Sequence, residues 1–299
     1  MAYLPFYLTP EEFALKQKQQ EQEIAAGREQ IRWHKYDTEK PFRYFNYCIS
    51  IAVCLPSYLL AFVLFERGET FSNSLMIGQA LILSGLAYLM FGLDYRYDYT
   101  LSEKGLVVKK RRNMPRWVNS AAQVVAWFGA GFCVFMVATV GPMVLVGAGG
   151  LILLSFTGLK RQPDEEAEVR IGHSEDGICA RCNAKRKVIE LYYKFDDYDF
   201  EDAAKTVVSR YHSIGKSYLF FSSQKQMEQA IQLLFDEWHL TCEEIKEPKN
   251  VFGNKNLPEA FLNTPFRGAS FPVDDAQSLR SSNAPLPEQR YFESLIQDE

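Results

Sequence analysis

From Tyr44 to Phe65 the chain reads YFNYCISIAVCLPSYLLAFVLF, a run of 22 residues without a charged side chain. Two more uncharged runs follow, 24 residues from Thr70 to Leu93 and 43 residues from Trp117 to Leu159. A helix needs about 20 apolar residues to cross the hydrocarbon core of a bilayer. The third run is long enough for two crossings, and Gly141-Pro142 near its middle is typical of a turn. The sequence therefore predicts a membrane α-helical fold with four transmembrane helices in two hairpins, 44–93 and 117–159.

The charges beside these runs predict the orientation of the protein. The segment from Asp94 to Arg116 holds seven basic and three acidic residues, whereas Gly141-Pro142 carries no charge. Positive charge in short loops marks the cytoplasmic side of a membrane. The pattern predicts a multi-pass protein of the inner (plasma) membrane whose N and C termini are both cytoplasmic. Thiols stay reduced in that compartment, so the six cysteines predict no disulfide framework.

The charge of the C-terminal part also indicates which kinds of partner the chain can bind. The residues after 159 include 18 basic and 25 acidic side chains, whereas nucleic-acid-binding domains are basic. We therefore expect membrane lipids and either a protein partner or a second copy of the chain, and no nucleic acid. The three uncharged runs also lack histidine, which disfavours a pump or an active transporter.

The polar parts of the chain form four further segments. Residues 1–43 predict a cytoplasmic N-terminal helix, with Thr9 as its cap and Pro10 in its first turn. Residues 94–116 predict a cytoplasmic β-hairpin that turns at Glu103-Lys104-Gly105. Residues 160–246 predict a small cytoplasmic α+β domain. Six of the 13 prolines fall after Glu247, which predicts a disordered Pro-rich tail over 247–299.

The α+β domain is predicted from short strands followed by one amphipathic helix, Ser223 to His239. The strands are expected at Glu168–Ile171, Gly177–Cys182, Lys187–Phe195, Thr206–Tyr211 and Lys216–Phe221. This order resembles the bacterial PH-like domains of small membrane proteins, in which two membrane helices precede a Tyr-rich strand and a basic second strand. The matching segment is Tyr97 to Arg112. The resemblance implies a PH-like domain split by the second membrane hairpin, and a different small α+β domain is equally compatible with the pattern.

A basic cluster lies beside the predicted third span. It consists of Lys109, Lys110, Arg111, Arg112 and Arg116. Each basic residue near an anionic leaflet contributes roughly 1 kcal/mol of attraction. We predict that this cluster binds lipid headgroups, with the alternative that its charges only fix the topology.

Two other sets of residues predict packing and docking. Gly78, Gly85 and Gly92 recur at seven-residue spacing, which places them on one helix face where a second helix can approach closely. The chain ends with apolar residues at helical spacing, which predict a short peptide that docks on a protein partner. These are Tyr291, Phe292, Leu295 and Ile296. An inert tail is the alternative.

Chemical motifs are weak throughout. Cys179 and Cys182 have the spacing of half a zinc site, but no second Cys-x-x-Cys follows, so strand cysteines without a cofactor are the preferred interpretation. The segment Ser213–Ser217 lacks the first glycine of a phosphate-binding loop, because Arg210 stands there. The segment Asp196–Asp202 lacks the glycine and glutamate of a calcium loop and is interpreted as a solvated acidic turn.

These observations predict a non-catalytic membrane protein that presents a cytoplasmic domain and tail to a partner or to the lipid surface. Adaptors, regulators, secretion accessories and exclusion or immunity proteins have this organisation. One alternative is a membrane-surface enzyme that acts on lipid-linked substrates through Asp197 and Asp199 or through the cysteine pair. A passive channel formed by oligomerisation is the other.

Overall fold

The computed structural model describes residues 3–66, 93–115, 167–252 and 257–291, with scattered positions between 74 and 88 and between 118 and 127. The chain divides into two compact units, each assembled from separate stretches of sequence. The first unit comprises residues 1–45, 94–111 and 167–299, and the second comprises 46–93 and 112–166.

The first unit is built on two β-sheets. One contains β1 (Gln30–Asp37), β2 (Tyr95–Ser102), β3 (Gly105–Arg112) and β4 (Glu168–His173), in the order β1-β2-β3-β4. The other contains β5 (Gly177–Asn183), β6 (Val188–Phe200), β7 (Val207–Phe220), β8 (Cys242–Glu244) and β9 (Arg267–Pro272), in the order β8-β5-β6-β7-β9. The β5–β8 pair is parallel, and β5–β6, β6–β7 and β7–β9 are antiparallel.

The helices follow the chain order α1 (Pro10–Ala25), α2 (Phe45–Glu66), α3 (Gln224–Asp236), α4 (Glu259–Leu262) and α5 (Ala276–Ser281). Short 3₁₀ turns occupy Ser174–Asp176, Pro248–Asn250 and Val273–Asp275. The predicted start of α1 is confirmed. Thr9 accepts a hydrogen bond from the backbone N–H of Glu12, and the Glu12 side chain accepts one from the backbone N–H of Thr9, which satisfies two free donors of the first turn.

The main apolar core lies between the two sheets and α3. Alternate residues of β2, Tyr97, Tyr99 and Leu101, are buried, as expected for a strand with one face in a core. They meet Leu191 and Leu219 of the second sheet within the same cluster of buried side chains. The helix α3 adds its apolar face, and its position matches the helix predicted from Ser223 onward.

Buried hydrogen bonds join the elements that surround this core. The indole N–H of Trp33 donates to the carbonyl of Phe220 over 2.9 Å, and the Tyr99 hydroxyl donates to the carbonyl of Tyr218 over 2.7 Å. The indole N–H of Trp238, beyond α3, donates to the carbonyl of Ser102 over 2.9 Å. Large aromatic side chains can be buried here because each polar end finds a backbone acceptor.

Two glycines leave space for aromatic rings of β6 to pack directly against the backbone of neighbouring strands. A Cβ on Gly172 would stand 2.5 Å from the Tyr193 ring, and a Cβ on Gly215 would stand 2.5 Å from the Phe195 ring. Gly215 lies inside β7, so the two strands predicted at 206–211 and 216–221 are one continuous strand. The glycine serves a close approach between side chain and backbone and does not mark a turn.

The predicted membrane architecture is corrected. The described part of the chain contains no helix that combines the length and the apolarity needed to span a bilayer. The predicted fold class of four transmembrane helices is therefore wrong, and the described fold is β-rich with two sheets. The predicted multi-pass inner-membrane location with cytoplasmic termini is wrong on the same finding. Absence of charge is a weaker criterion than a continuous apolar helix, and α2 includes Asn46, Ser50 and Pro56. The predicted spans 70–93 and 117–159 lie largely outside the described residues.

Two segment assignments also change. Residues 1–43 contain β1 as well as a helix, and β1 pairs with the full length of β2. The segment predicted as a disordered tail contains α4, β9 and α5, because Phe261 and Phe271 are buried and β9 pairs with β7. The resemblance to PH-like domains stays a prediction.

Candidate functional site

A polar cavity of about 490 Å³ opens within the first unit. Its walls come from α1, β4, the turn Ser174–Asp176, β6 and β7. Phe13 of α1 stacks on Tyr198 of β6 with ring centres 4.8 Å apart, and the Arg210 guanidinium lies 5.1 Å from the centre of the Phe13 ring. Aromatic rings and charged groups therefore line the same space.

Asp176 is the most unusual residue of this cavity. Asp176 is only 2% exposed, and its Oδ1 atom has no hydrogen-bond partner among the residues that the structure describes. Burial raises the pKa of this carboxyl to about 7, and the positive charges of Lys194 and of the chain's amino terminus oppose that shift. A buried carboxylate without full hydrogen bonding is costly, so a protein retains one chiefly where it has a use.

Asp196 lies in the same wall but is fully engaged. It forms an ion pair with Arg210, and its Oδ2 accepts a hydrogen bond from the backbone N–H of Leu4 over 3.0 Å. Burial raises the pKa of Asp196, while the charge of Arg210 acts in the opposite direction. The predicted solvated acidic turn is therefore corrected at its first residues, because Asp196–Phe200 belong to β6 and Asp196 is mostly buried.

The N-terminal segment before α1 lies over β6, which carries Asp196, and over β7, which carries His212. Tyr3 stacks on His212 with ring centres 4.4 Å apart, and His212 Nε2 is 2.9 Å from the carbonyl oxygen of Leu4. The Tyr198 hydroxyl donates to the carbonyl of Leu8 over 3.3 Å. Burial lowers the pKa of His212 to about 4, so this histidine is neutral at pH 7 and does not compete for Asp196.

Several other charges that border the cavity have partners of opposite sign. Arg170 and Glu168 form an ion pair of 2.6 Å on β4. Lys216 lies 3.3 Å from Glu190, a fully buried carboxylate that also pairs with Arg181 over 2.6 Å. These contacts leave Asp176 as the buried charge of the cavity with an unsatisfied oxygen.

The predicted lipid-binding cluster lies on β3 and is ion-paired within the first unit. Lys109 pairs with Glu21 of α1. Lys110 is 3.0 Å from Glu39, and Arg111 is 3.6 Å from Asp98. Arg112 ends the strand, and Arg116 lies outside the described residues. The headgroup role stays a prediction, and the geometry adds a structural role for the first three residues.

The two cysteines of the predicted half zinc site lie in different surroundings. Cys179 packs beside the buried ring of Phe261, whereas Cys182 belongs to the core between the sheets. A hydrogen bond between Cys182 and Cys242 lowers the pKa of Cys182 and raises that of Cys242. Across the described ranges, no three His, Cys, Asp or Glu side chains come together as metal ligands. The metal prediction stays untested.

The remaining predicted sites are only partly described. Tyr291 is 47% exposed, while Phe292, Leu295 and Ile296 lie outside the described residues. A Cβ on Gly78 or Gly85 would meet no described atom within 4 Å. Gly92 is outside the described residues. The docking and helix-packing roles therefore stay predictions.

Sequence reasoning missed two residues of this region, Asp176 in the cavity wall and Arg210, which pairs with Asp196. Arg210 drew notice as the residue that breaks a phosphate-loop motif, and Asp176 drew none. Neither residue carries a local signal, because burial comes from strands and a helix that are distant in sequence. The alternation of polar and apolar residues along β6, which places Tyr192, Lys194 and Asp196 on one face, was the available clue.

The chain resembles immunity proteins: the model of the family described as TsiV2 immunity protein matches residues 10–169. That match covers more than half of the chain, which therefore belongs to the TsiV2 immunity protein family. It includes α1, β1, β2 and β3 and ends at the start of β4.

A curated relative supports the same family. The immunity protein TsiV2 of Vibrio cholerae serotype O1 (strain ATCC 39315 / El Tor Inaba N16961) is 36% identical over 76 residues, which are 25% of this chain and 31% of the relative. The chain thus covers less than a third of that protein's length. No solved structure matches the chain.

Proposed function

We propose that this protein is a non-catalytic immunity protein that protects the cell producing it by binding a toxin protein. The observation that carries this proposal is the family match over residues 10–169. Among the functions predicted from the sequence, the immunity type agrees with that family. The polytopic membrane organisation predicted with it is not part of the proposal.

The acidic residues favour binding over catalysis. Asp197 and Asp199, the candidates for an enzyme site, are both exposed on β6. Each accepts a hydrogen bond from the next backbone N–H, Tyr198 over 3.0 Å and Phe200 over 2.8 Å. A general acid or base usually lies in a buried site or beside a charged group, and these two carboxylates are exposed.

The test is protection in the host that carries the gene. A strain lacking the gene is grown in contact with its unmodified parent, and survivors of each strain are counted. We expect the deletion strain to be killed and a plasmid copy of the full chain to restore survival. Equal survival of the deletion strain and of the complemented strain would overturn the proposal.

A catalytic mechanism is tested in the same assay. The variant Asp199→Asn keeps a side-chain acceptor and removes a charge outside the cavity wall, so we expect it to protect as well as the natural chain. Loss of protection with an unchanged melting temperature would favour the enzyme alternative. Cross-linking of the tagged chain in cells exposed to the parent then identifies the protein that it binds.

A further inference from the structure

We propose that the cavity beneath α1 binds a cationic side chain, lysine or arginine, of the protein partner, with the Asp176 carboxylate as its acceptor. This inference rests on the proposed function and names the chemistry that the site recognises. The family match ends at residue 169, whereas Asp176 and most of the cavity wall follow it. The cavity therefore adds recognition beyond the part of the chain that defines the family.

The charges around the cavity select a cation. Asp196 is paired with Arg210, Glu168 with Arg170, and Lys216 with Glu190. Among the residues that line the cavity, Asp176 and the exposed Asp197 then remain against Lys194, so the remaining charge of the lining is negative. An anion would have to approach a buried carboxylate, which is electrostatically unfavourable.

The acceptor geometry suits an ammonium or guanidinium group. The Oδ1 atom of Asp176 is buried and lacks a hydrogen-bond donor among the described residues. Charge-assisted hydrogen bonds to a carboxylate are about twice as strong as neutral ones, and an incoming cation also compensates the buried negative charge. No group of three His, Cys, Asp or Glu ligands lies in the described ranges, so the geometry favours a side-chain cation over a metal ion.

The remaining walls fit the stem of a long basic side chain. Phe13, Tyr193, Phe195 and Tyr198 border the cavity, and its volume is about 490 Å³. Lysine and arginine bury apolar stems while their charged ends seek polar partners, and both cations are attracted to aromatic faces. The cavity thus offers an aromatic approach that leads to a carboxylate.

A small-molecule probe tests this chemistry directly. The full chain is titrated with Nα-acetyl-lysine methylamide and with its uncharged analogue Nα-acetyl-norleucine methylamide, and NMR shifts of the Lys194 and Gly215 amides are followed. We expect the lysine compound to bind and Asp176→Asn to weaken that binding at least about tenfold. Equal shifts with both compounds would overturn the proposal.

Two pairs of variants carry the test into cells. Asp176→Asn is compared with Asp199→Asn, which removes an exposed carboxylate outside the cavity wall. Gln17→Lys places an ammonium in the cavity wall, and Gln19→Lys adds the same charge on the exposed side of α1. We expect the first member of each pair to weaken partner affinity at least about tenfold and to lose protection, and the second to match the natural chain.

The outcomes separate the two proposals. If the natural chain fails to protect, the proposed immunity function fails and the partner cation fails with it. If the natural chain protects and folded Asp176→Asn and Gln17→Lys both protect equally well, the subsite is wrong while immunity stands.

Discussion

Burial of the Asp176 carboxyl group is expected to make the free energy of unfolding depend on pH. The pKa of an aspartate in an unfolded chain is about 3.9, whereas burial raises that of Asp176 to about 7. The folded state therefore binds more protons between these values. The stability contributed by the protonated carboxyl is fully present below about pH 4 and is lost as the pH rises through about 7.

Asp176→Asn is expected to stabilise the protein above neutral pH. The amide has nearly the same shape and carries no charge, so at pH 8 we expect the free energy of unfolding to rise by about 1–2 kcal/mol. At pH 5 the gain should shrink. Urea unfolding at both pH values measures the effect, and Asp199→Asn is the control with no expected change. Destabilisation of Asp176→Asn at pH 8 would contradict the prediction.

The buried carboxylate of Glu190 is expected to behave in the opposite way, because it has partners. Arg181 is 2.6 Å away and only slightly exposed, and Lys216 is 3.3 Å away. Glu190→Ala leaves the Arg181 charge buried without its carboxylate, which should cost about 3–5 kcal/mol.

The matched control for Glu190 is Glu168→Ala. Its pair with Arg170 has a similar distance, but the Glu168 side chain is 52% exposed, so its loss should cost less than about 1 kcal/mol. Thermal and urea unfolding of both variants give the comparison. Similar losses for the two would show that burial does not set the strength of these pairs.

For single residues, the sequence predicts those features that depend on residues adjacent in the chain. The cap of α1 depends on Thr9, Pro10 and Glu12, which are adjacent in the chain, and it was predicted correctly. The pairing of Asp196 with Arg210 depends on the register of β6 and β7, in which Asp196 faces His212 and Tyr198 faces Arg210. A single sequence does not reveal which strands will be buried around such a pair.

Among the elements, β9 shows how a segment rich in proline joins a sheet. It pairs with β7 from Val207 to His212, at the edge of the second sheet, and its last residue is Pro272. Proline is tolerated there because it lies at a strand end and an edge strand has one side without a hydrogen-bonded neighbour. Phe271 points into a small apolar cluster with Phe6 and Val208.

Two truncations test the contribution of this C-terminal segment. A chain ending at Lys246 loses β9, Phe261 and Phe271, so we expect its melting temperature to fall by at least about 10 °C, because several kcal/mol of apolar burial disappear. A chain ending at Tyr291 keeps these elements and should melt with the full chain. Equal melting temperatures for the two truncations would return the segment to the disordered tail predicted from composition.

The elements differ in how clearly the sequence predicts them. The β2–β3 hairpin and α3 have regular apolar periods that survive in the structure. β1 was missed because Arg32, His34 and Lys35 surround its inward-facing Trp33. β7 was divided at Gly215 because glycine usually signals a turn, whereas here the Phe195 ring occupies the space of a side chain.

For the whole molecule, the central fact is that the first unit is discontinuous in sequence. Its two sheets share one core, and the bonds from Trp33 to Phe220 and from Tyr99 to Tyr218 join residues more than 100 positions apart. The three long uncharged runs are the strongest pattern in the sequence and led to the prediction of a membrane fold. The discontinuous two-sheet unit was therefore not predicted.

A fragment test follows from the shared core. Residues 167–299 produced alone contain the second sheet but lack Trp33, Tyr99 and Leu101. We expect this fragment to unfold without a cooperative transition, because the buried residues that β1, β2 and β3 contribute to its core are absent. Circular dichroism melting compares it with the full chain, whose transition should be sharp. A cooperative melt of the fragment would mean that the second sheet forms an independent domain.

The discontinuous first unit also has a consequence for synthesis on the ribosome. The hairpin β2–β3 ends at Arg112, but its neighbour β4 begins at Glu168 and the opposing strand β7 ends only at Phe220. At about 5–20 residues per second, the nascent hairpin waits roughly 5–20 s for the last of these strands to be translated. During that interval the aromatic residues of β2 are without their cover, so the period of greatest risk of misfolding falls in the middle of translation.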